Sequence, residues 1–484
     1  MTETSMQIDS SSQNPRITWE GCSVLLDIND GGRLVFARLN AGSTLKIGDK
    51  KCSLQPLIGC PFGSMFQVEV GLKGPHLCRI FAADADDQTA VLQEKEEIQQ
   101  NERKDNRALV DDNTAQTLSF EDINAMKRKG AAGRQIVDAL IANSSTYMTK
   151  TAFSQEKYKL KKQKKYAPKV LLRRPFTRSI SEAYFKKYPA RVGFLRMDVL
   201  SLLLSMANVS AYSDVLVVDM VGGILTGAVA ERLGGTGHVC NTYFGVTPYP
   251  MEIVRIFNFN NEICRRIVRF PFSDLSLPEI NDPGHSGVVE NTMSTKMLPN
   301  LDEAALSTTP APSSGGLPRS EEQIIQQAEL PDLRLDPVNN VEPAPSIDEN
   351  SASSVVNAGK SQQPGKKATK EAITSWKQNG FSSLIIAAPD LDPWTVVQEL
   401  LPHLSYSAPF AIYHQYLQPL AACMHNLQTA RMAIGLQISE PWLREYQVLP
   451  SRTHPCMQMS GFGGYILNGI RICNNEVSIK PSSV

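Results

Sequence analysis

Neither a Cys-x-x-Cys pair nor an even cysteine count occurs in this 484-residue chain, whose nine cysteines are scattered. A disulfide framework and a zinc ribbon are both disfavoured by that pattern, and reduced thiols in the cytosol or nucleus are expected. No apolar run approaches the roughly 18 residues that a membrane span needs. Met1 to Asn14 is polar and rich in Ser and Gln, unlike a signal peptide or an amphipathic transit helix. Net charge is absent too: 49 basic residues balance 49 acidic ones, so bulk electrostatics favours neither nucleic acid nor membrane. A charged partner must therefore be met by a local patch. Residues 273–375 lack Phe, Trp and Tyr altogether yet hold eleven prolines. Such a stretch buries too little apolar surface to offset its ordering entropy, and disorder is expected there. Metal chemistry has little support, because the seven histidines are dispersed and His454, near Cys456, has no zinc spacing around it.

What is present divides the chain. Its length asks for two or three domains, and 42% hydrophobic residues can fill their cores. From residue 15 to 83, short strands alternate with turns. Ser23–Ile28 and Arg33–Arg38 flank the hairpin-type turn Asn29-Asp-Gly-Gly32, and Phe66–Val70 alternates apolar with polar. A small antiparallel β-barrel is expected. Residues 84–183 turn helical and charged, with a capping box at Ser119 and Asp122, a stop at Gly130, and an apolar face on Gly133–Ile141. The polar stretch 93–112 is expected to be poorly ordered. Residues 184–272 and 376–475 read as one α/β domain that 273–375 interrupts, with a final hairpin near Gly461–Leu467 and a short tail at 476–484. The fold class is thus α+β multidomain: a small barrel, a helical basic connector, and a Rossmann-like domain with a long disordered insertion.

Lys157-Tyr-Lys-Leu-Lys-Lys-Gln-Lys-Lys-Tyr166, followed by Lys169, Arg173, Arg174 and Arg178, is the densest charge in the chain, and no acid falls between Glu156 and Glu182. Cations at this density neutralise phosphates and release condensed counterions, which gives sequence-independent affinity for nucleic acid. Tyr158 and Tyr166 are candidates for stacking on unpaired bases. A nuclear-import signal or a plain solvated helix face would carry the same residues.

Val215-Leu-Val-Val-Asp-Met-Val-Gly-Gly-Ile-Leu-Thr226 has the strand–turn–helix grammar of a Rossmann-type unit. A working loop needs glycine where the backbone turns tightly and approaches its ligand. Asp219 and Val221 stand where the first two glycines belong, and only Gly223 remains. The second strand ends on Asn241, Thr242 and Tyr243, so no carboxylate is placed to hold ribose hydroxyls. The fourth ends on Ala387-Ala388-Pro389, with Asp390 and Asp392 just beyond. Gly234-Gly-Thr-Gly237 lacks the lysine of a phosphate loop and reads as a helix-to-strand connection. No catalytic residue and no cofactor in this chain are therefore expected.

The order of these parts resembles a known family. Leu57-Ile-Gly59, Pro61-Phe-Gly63, Asn143-Ser144, Lys150-Thr-Ala-Phe-Ser-Gln-Glu-Lys-Tyr158 and Arg444-Glu-Tyr-Gln-Val-Leu-Pro-Ser-Arg-Thr-His-Pro455 are similar to the non-catalytic subunits of eukaryotic tRNA (adenine-N1)-methyltransferases, which make N1-methyladenosine in the T loop. The resemblance spans most of the chain outside the first residues, much of 84–112 and the insertion. It implies a partner subunit that binds S-adenosylmethionine, a two-plus-two heterotetramer, residence in the nucleus, and a tRNA-binding role without methyl transfer. The expected tRNA contacts are Lys157, Lys159, Lys161, Lys162, Lys164, Lys165, Arg173, Arg174, Arg444, Arg452 and His454, the last three standing open between RNA contact and subunit pairing. Two rival readings are an active RNA methyltransferase with an atypical pocket, and a general RNA-binding or translation-linked interaction protein.

Overall fold

A computed structural model of the chain describes residues 16–71, 74–80, 115–276, 364–448, 453–458 and 462–473. Six strands open the fold: β1 (Ser23–Ile28), β2 (Arg33–Arg38), β3 (Thr44–Ile47), β4 (Lys50–Ser53), β5 (Met65–Gly71) and β6 (Gly74–Ile80). The β1–β2 turn takes positive φ at Asn29, Asp30 and Gly31, which Asn, Asp and Gly tolerate. A seventh strand, β7 (Lys169–Arg173), arrives from far along the sequence and pairs antiparallel with both β1 and β5. The sheet order is β2-β1-β7-β5-β6, with β3 and β4 as a separate hairpin. The expected barrel is therefore an open antiparallel sheet whose edges are β2 and β6. The stretch 84–183, expected to be a helical connector, supplies its central strand. Val170 and Leu172 alternate inward from β7 to join Val24, Leu26, Phe66 and Val68 in the core.

Three helices separate β6 from β7 among the described residues: Phe120–Arg128, Gly133–Ala142 and Ala152–Tyr166. The expected capping box forms, since the Ser119 hydroxyl accepts the Asp122 N–H and Asp122 accepts the Ser119 N–H. Ile123, Ile136, Val137, Leu140 and Tyr166 make their own small core. Gly133 lies so close to the end of the third helix that a Cβ would come within 2.3 Å of the Tyr166 carbonyl oxygen. The stretch expected to be poorly ordered, 93–112, lies outside the described residues.

The larger sheet contains β8 (Asp214–Asp219), β9 (His238–Tyr243), β10 (Ile267–Pro271), β11 (Lys366–Lys367), β12 (Ser383–Ala387), β13 (Pro409–His414) and β14 (Ala433–Ser439). A two-stranded ribbon, β15 (Tyr446–Gln447) with β16 (His454–Pro455), follows, and β17 (Tyr465–Arg471) ends the fold. The order is β11-β10-β9-β8-β12-β13-β17-β14, parallel except for β17. β17 runs antiparallel between β13 and β14, so the chain end expected to be a local hairpin is a long-range return into the sheet. Alternation sends Val215 and Val217 to one face with the helices Met197–Met206 and Ile224–Leu233. Leu216 and Val218 point to the other, with Lys370–Asn379, Pro393–Leu400 and Leu417–Thr429. Strands covered on both faces read as unbroken aliphatic runs, which is why β8 and β12 were visible in the sequence.

The chain leaves the sheet after Ser273–Ser276 and re-enters at β11, alongside β10, where the Gly365 N–H bonds to the Ile267 carbonyl at 3.1 Å. The interruption is thus inserted at one sheet edge. Its expected disorder falls, from 277 to 363, outside the described residues. At its end the expectation fails, because Thr369 caps the helix Lys370–Asn379, which buries Ile373 and Trp376. The small sheet is fastened to the large domain by Asn258, whose side chain donates to the Ser23 carbonyl and accepts the Ser23 N–H, both at 2.7 Å. Phe36 also stacks on Tyr184, with ring centroids 5.3 Å apart.

Candidate functional site: a closed switch point and a lysine face

The strand order reverses between β8 and β12, and in open α/β sheets ligands bind in the crevice beyond the carboxyl ends of the strands at that point. Here the crevice is occupied by the chain itself. Asp219, at the end of β8, is 1% exposed. Its Oδ1 accepts the N–H groups of Val221 at 2.9 Å and Gly223 at 3.1 Å. Oδ2 accepts the N–H and the hydroxyl of Thr226, each at 2.8 Å. Burial pushes this carboxyl up, while those four donors favour its ionised form. The N–H groups that a glycine-rich turn would offer a ligand are thus engaged by a side chain from the same turn.

Space is closed as well. Val221 is fully buried, and its Cγ1 lies 3.0 Å from where a Cβ on Gly193 would sit, a position also bounded by Pro389. The segment after β9 forms a 3-10 turn at Glu252–Phe257 and folds back over the glycines. The Ile253 N–H bonds to the Gly222 carbonyl at 3.2 Å. Gly223 has φ +89°, and a Cβ there would meet the Met251 Cα at 2.6 Å. Asn241, where a ribose-binding acid was sought, points inward and donates to the Thr226 hydroxyl at 2.8 Å. Asp392 caps the helix Pro393–Leu400 through Thr395. Sequence reading missed Thr226, Met251 and Ile253, since no residue type announces a segment that folds back onto a turn.

The helix Ala152–Tyr166 is nucleated by the Thr151 cap and stopped by Pro168. Lys161 lies four residues after Lys157, and Lys164 and Lys165 lie three and four residues after Lys161, all along one exposed face. Among the described residues none of these four has a carboxylate within ion-pair distance. Lys159 and Lys162 are half-buried on the flanks. Burial lowers the Lys162 pKa, and the nearby Lys165 and Lys161 lower it further, as expected of uncompensated positive charge. The two tyrosines differ from expectation. Tyr166 is 7% exposed and belongs to the helical core, so it presents no face to a base. Tyr158 is half-buried against Tyr147 at 5.8 Å, with the ammonium of Lys162 5.1 Å from its ring centre.

Arg173 is also drawn away from solvent. It pairs with the buried carboxylate of Asp27 at 3.2 Å and with Glu182 at 3.5 Å. Its guanidinium is a brace between the small sheet and the following helix, whereas Arg174 is exposed. In the C-terminal string, Arg444 lies 5.9 Å from the Trp442 ring centre and 5.7 Å from that of Tyr446. His454 sits in β16, its Nδ1 2.8 Å from the Pro455 carbonyl oxygen and its Nε2 3.3 Å from the Gln447 amide. Arg452 lies outside the described residues. Among the described residues there is no group of three or more His, Cys, Asp or Glu side chains able to hold a metal, and no helix long and apolar enough to cross a membrane.

A family model described as the Gcd10p family matches residues 18–303. The tRNA (adenine(58)-N(1))-methyltransferase non-catalytic subunit of Dictyostelium discoideum is 34% identical over 453 residues, covering 94% of this chain and 79% of that protein. Its namesake in Mus musculus is 30% identical over 481 residues, covering 94% and 90% respectively. A solved SAM-dependent O-methyltransferase from Thermotoga maritima superposes with a TM-score of 0.44 at 10% identity, over 96% of this chain and 98% of that one.

Proposed function

Because this chain belongs to the Gcd10p family, we propose that it is the non-catalytic subunit of a tRNA (adenine-N1)-methyltransferase, holding tRNA for a partner that carries the methyl donor. The observation that carries this reading is the closed switch point. A methyl donor needs free backbone N–H groups and an open crevice beyond β8, but Asp219 engages the donors and Val221, Met251 and Ile253 fill the space. The chain therefore binds no S-adenosylmethionine and transfers no methyl group.

The retained sheet is then a scaffold. It presents a surface to the partner, in a two-plus-two assembly resident in the nucleus, while the lysine helix packs on Gly133–Ala142 and leads into β7 of the small sheet. Lys157, Lys161, Lys164 and Lys165 contact phosphates, with Lys159, Lys162 and Arg174 extending the positive surface. Contacts of this kind read the shape of folded RNA and not its sequence. Arg173 leaves the set, its charge being spent on Asp27 and Glu182.

Reconstitution tests the proposal. The chain is co-expressed with the catalytic subunit, and N1-methyladenosine in a tRNA transcript is measured for each subunit alone and for the pair. Only the pair is expected to methylate. Equilibrium dialysis with labelled S-adenosylmethionine is expected to show saturable binding to the partner and none to this chain. Saturable binding to the isolated chain, or methylation by it alone, would refute the proposal in favour of an active enzyme.

A further inference from the structure

Trp442, Arg444 and Tyr446 alternate along the chain soon after β14, and Arg444 lies against both rings, so the three side chains cluster together. Trp442 is 73% exposed and Tyr446 55%, although large aromatics are ordinarily among the better-buried side chains. Arg444 lies within cation–π distance of both rings and has no carboxylate within ion-pair distance among the described residues. Its guanidinium braces the two rings and keeps its donors for something else.

The position of this trio in the fold is as informative as its composition. β14 is antiparallel to β17 and β17 to β13, so β14 runs with the parallel strands. Its C-terminal end, Ser439, therefore lies at the same sheet edge as Asp219 and Ala387, the edge on which ligands of such folds are handled. Arg196 holds the segment there. Its Nε and Nη2 form a fork on Asp198 at 2.6 and 2.8 Å, and Nη2 donates to the Pro441 carbonyl at 3.1 Å. The rings thus project from an anchored base at the carboxyl end of the sheet.

We propose that Trp442 and Tyr446, braced by Arg444, form a stacking platform for unpaired nucleobases of the RNA substrate. The inference rests on the tRNA-holding role argued above and adds a contact of different chemistry to the lysine face. Aromatic faces accept any base, and an arginine beside them has planar donors for phosphate or base edges. A target base inside folded RNA has to be taken out of its stack before chemistry on it, and its exposed neighbours then need new partners.

The test uses the complex of the full chain with its catalytic subunit and two probes, a short single-stranded oligo(U) and a blunt RNA duplex. Trp442→Leu is expected to weaken oligo(U) binding roughly tenfold, the scale of one lost base–aromatic stack. Tyr446→Leu should act in the same direction, and Trp442→Phe should restore most of the affinity. The slope of log affinity against log salt should not change, because stacking releases no counterions. Duplex binding and subunit association should also be unaffected. If both leucine variants bind oligo(U) like the wild type, the platform does not exist. If they disrupt subunit association while RNA affinity holds, the rings dock a protein and the proposal is overturned. A wild-type complex that binds no RNA at all would instead refute the tRNA-holding role on which the platform depends.

Discussion

Replacing Asp219 with asparagine isolates what closes the switch point. The carboxylate accepts four hydrogen bonds, two on each oxygen. An amide keeps the shape but has one acceptor oxygen. Turned toward Thr226, it sets its NH2 against the N–H groups of Val221 and Gly223; turned the other way, it deprives the Thr226 N–H. At least one and up to two buried backbone donors lose their acceptor, at about 1–3 kcal/mol each. Removing a buried charge recovers part of this, since burial already pushes the Asp219 carboxyl up. The net expectation is a loss of about 2–4 kcal/mol, a large fraction of the roughly 5–15 kcal/mol that holds a domain folded. The assay is urea unfolding of the full chain, followed by far-ultraviolet dichroism and tryptophan fluorescence. Asp219→Gly, which restores the glycine of a working loop, should destabilise at least as much and gain no affinity for S-adenosylmethionine, because Val221, Met251 and Ile253 still fill the crevice. An unchanged midpoint for Asp219→Asn, or saturable donor binding by Asp219→Gly, would refute the account of the turn.

Three further outcomes follow from the same geometry. Changing Lys161, Lys164 and Lys165 together to glutamine should lower the salt slope of tRNA binding by about 2–3, at roughly 0.7–0.9 per phosphate contact, and an unchanged slope would remove that face from RNA binding. Arg173→Ala strands the buried Asp27 carboxylate and should cost about 2–3 kcal/mol of stability with the salt slope intact, whereas Arg174→Ala should weaken RNA binding and leave the urea midpoint alone; the opposite assignment would reverse the roles given to these neighbours. Burial pushes the Asp214 carboxyl up, but the bonds from His238 and Trp376 prevail and hold it below its ordinary value. A depressed folded-state pKa contributes stability above the unfolded-chain value of about 4, and that contribution disappears as pH falls through the folded-state value. Asp214→Asn should therefore lower the urea midpoint near neutral pH, with the gap to wild type narrowing under acid; a constant gap would show that the carboxylate's charge is not what stabilises this site.

Legibility in the sequence followed the range of the interactions. β8 and β12 were readable because strands buried on both faces need unbroken aliphatic runs. The helix Gly133–Ala142 was readable because its apolar spacing is local. The long-range pairings were not. β7 lies inside a run of lysines and arginines, and nothing around Val170-Leu-Leu172 says that its partners are β1 and β5, far earlier in the chain. β17 was taken for half of a hairpin because its insertion between β13 and β14 is a fact of topology, not of pattern. At the candidate site the missing glycines at 219 and 221 were visible as residue types. What Asp219 does with its four acceptor positions was not, because that depends on where the N–H groups of the turn point. Trp442, Arg444 and Tyr446 were open to inspection as an alternating trio, but their exposure and their sheet edge needed the fold.

The glycine that survives shows how such a turn changes use without losing its form. In a ligand loop, glycine lets backbone approach a cofactor closely. Gly223 retains the left-handed φ of +89° and still has something pressed against its bare Cα, but the neighbour is now the backbone of Met251. Gly222, also left-handed, accepts a bond from Ile253 of the same segment. Asp219 replaces the ligand's acceptors for the N–H groups, and Val221 replaces part of its volume. The N–H donors of the turn and part of the crevice volume are thus taken up by residues of the chain itself. A scaffold closed in this way gains nothing from reopening at position 219 alone, since at least three other side chains would have to leave with it. That interdependence gives a physical reason for the division of labour, in which this subunit contributes surface and its partner the chemistry.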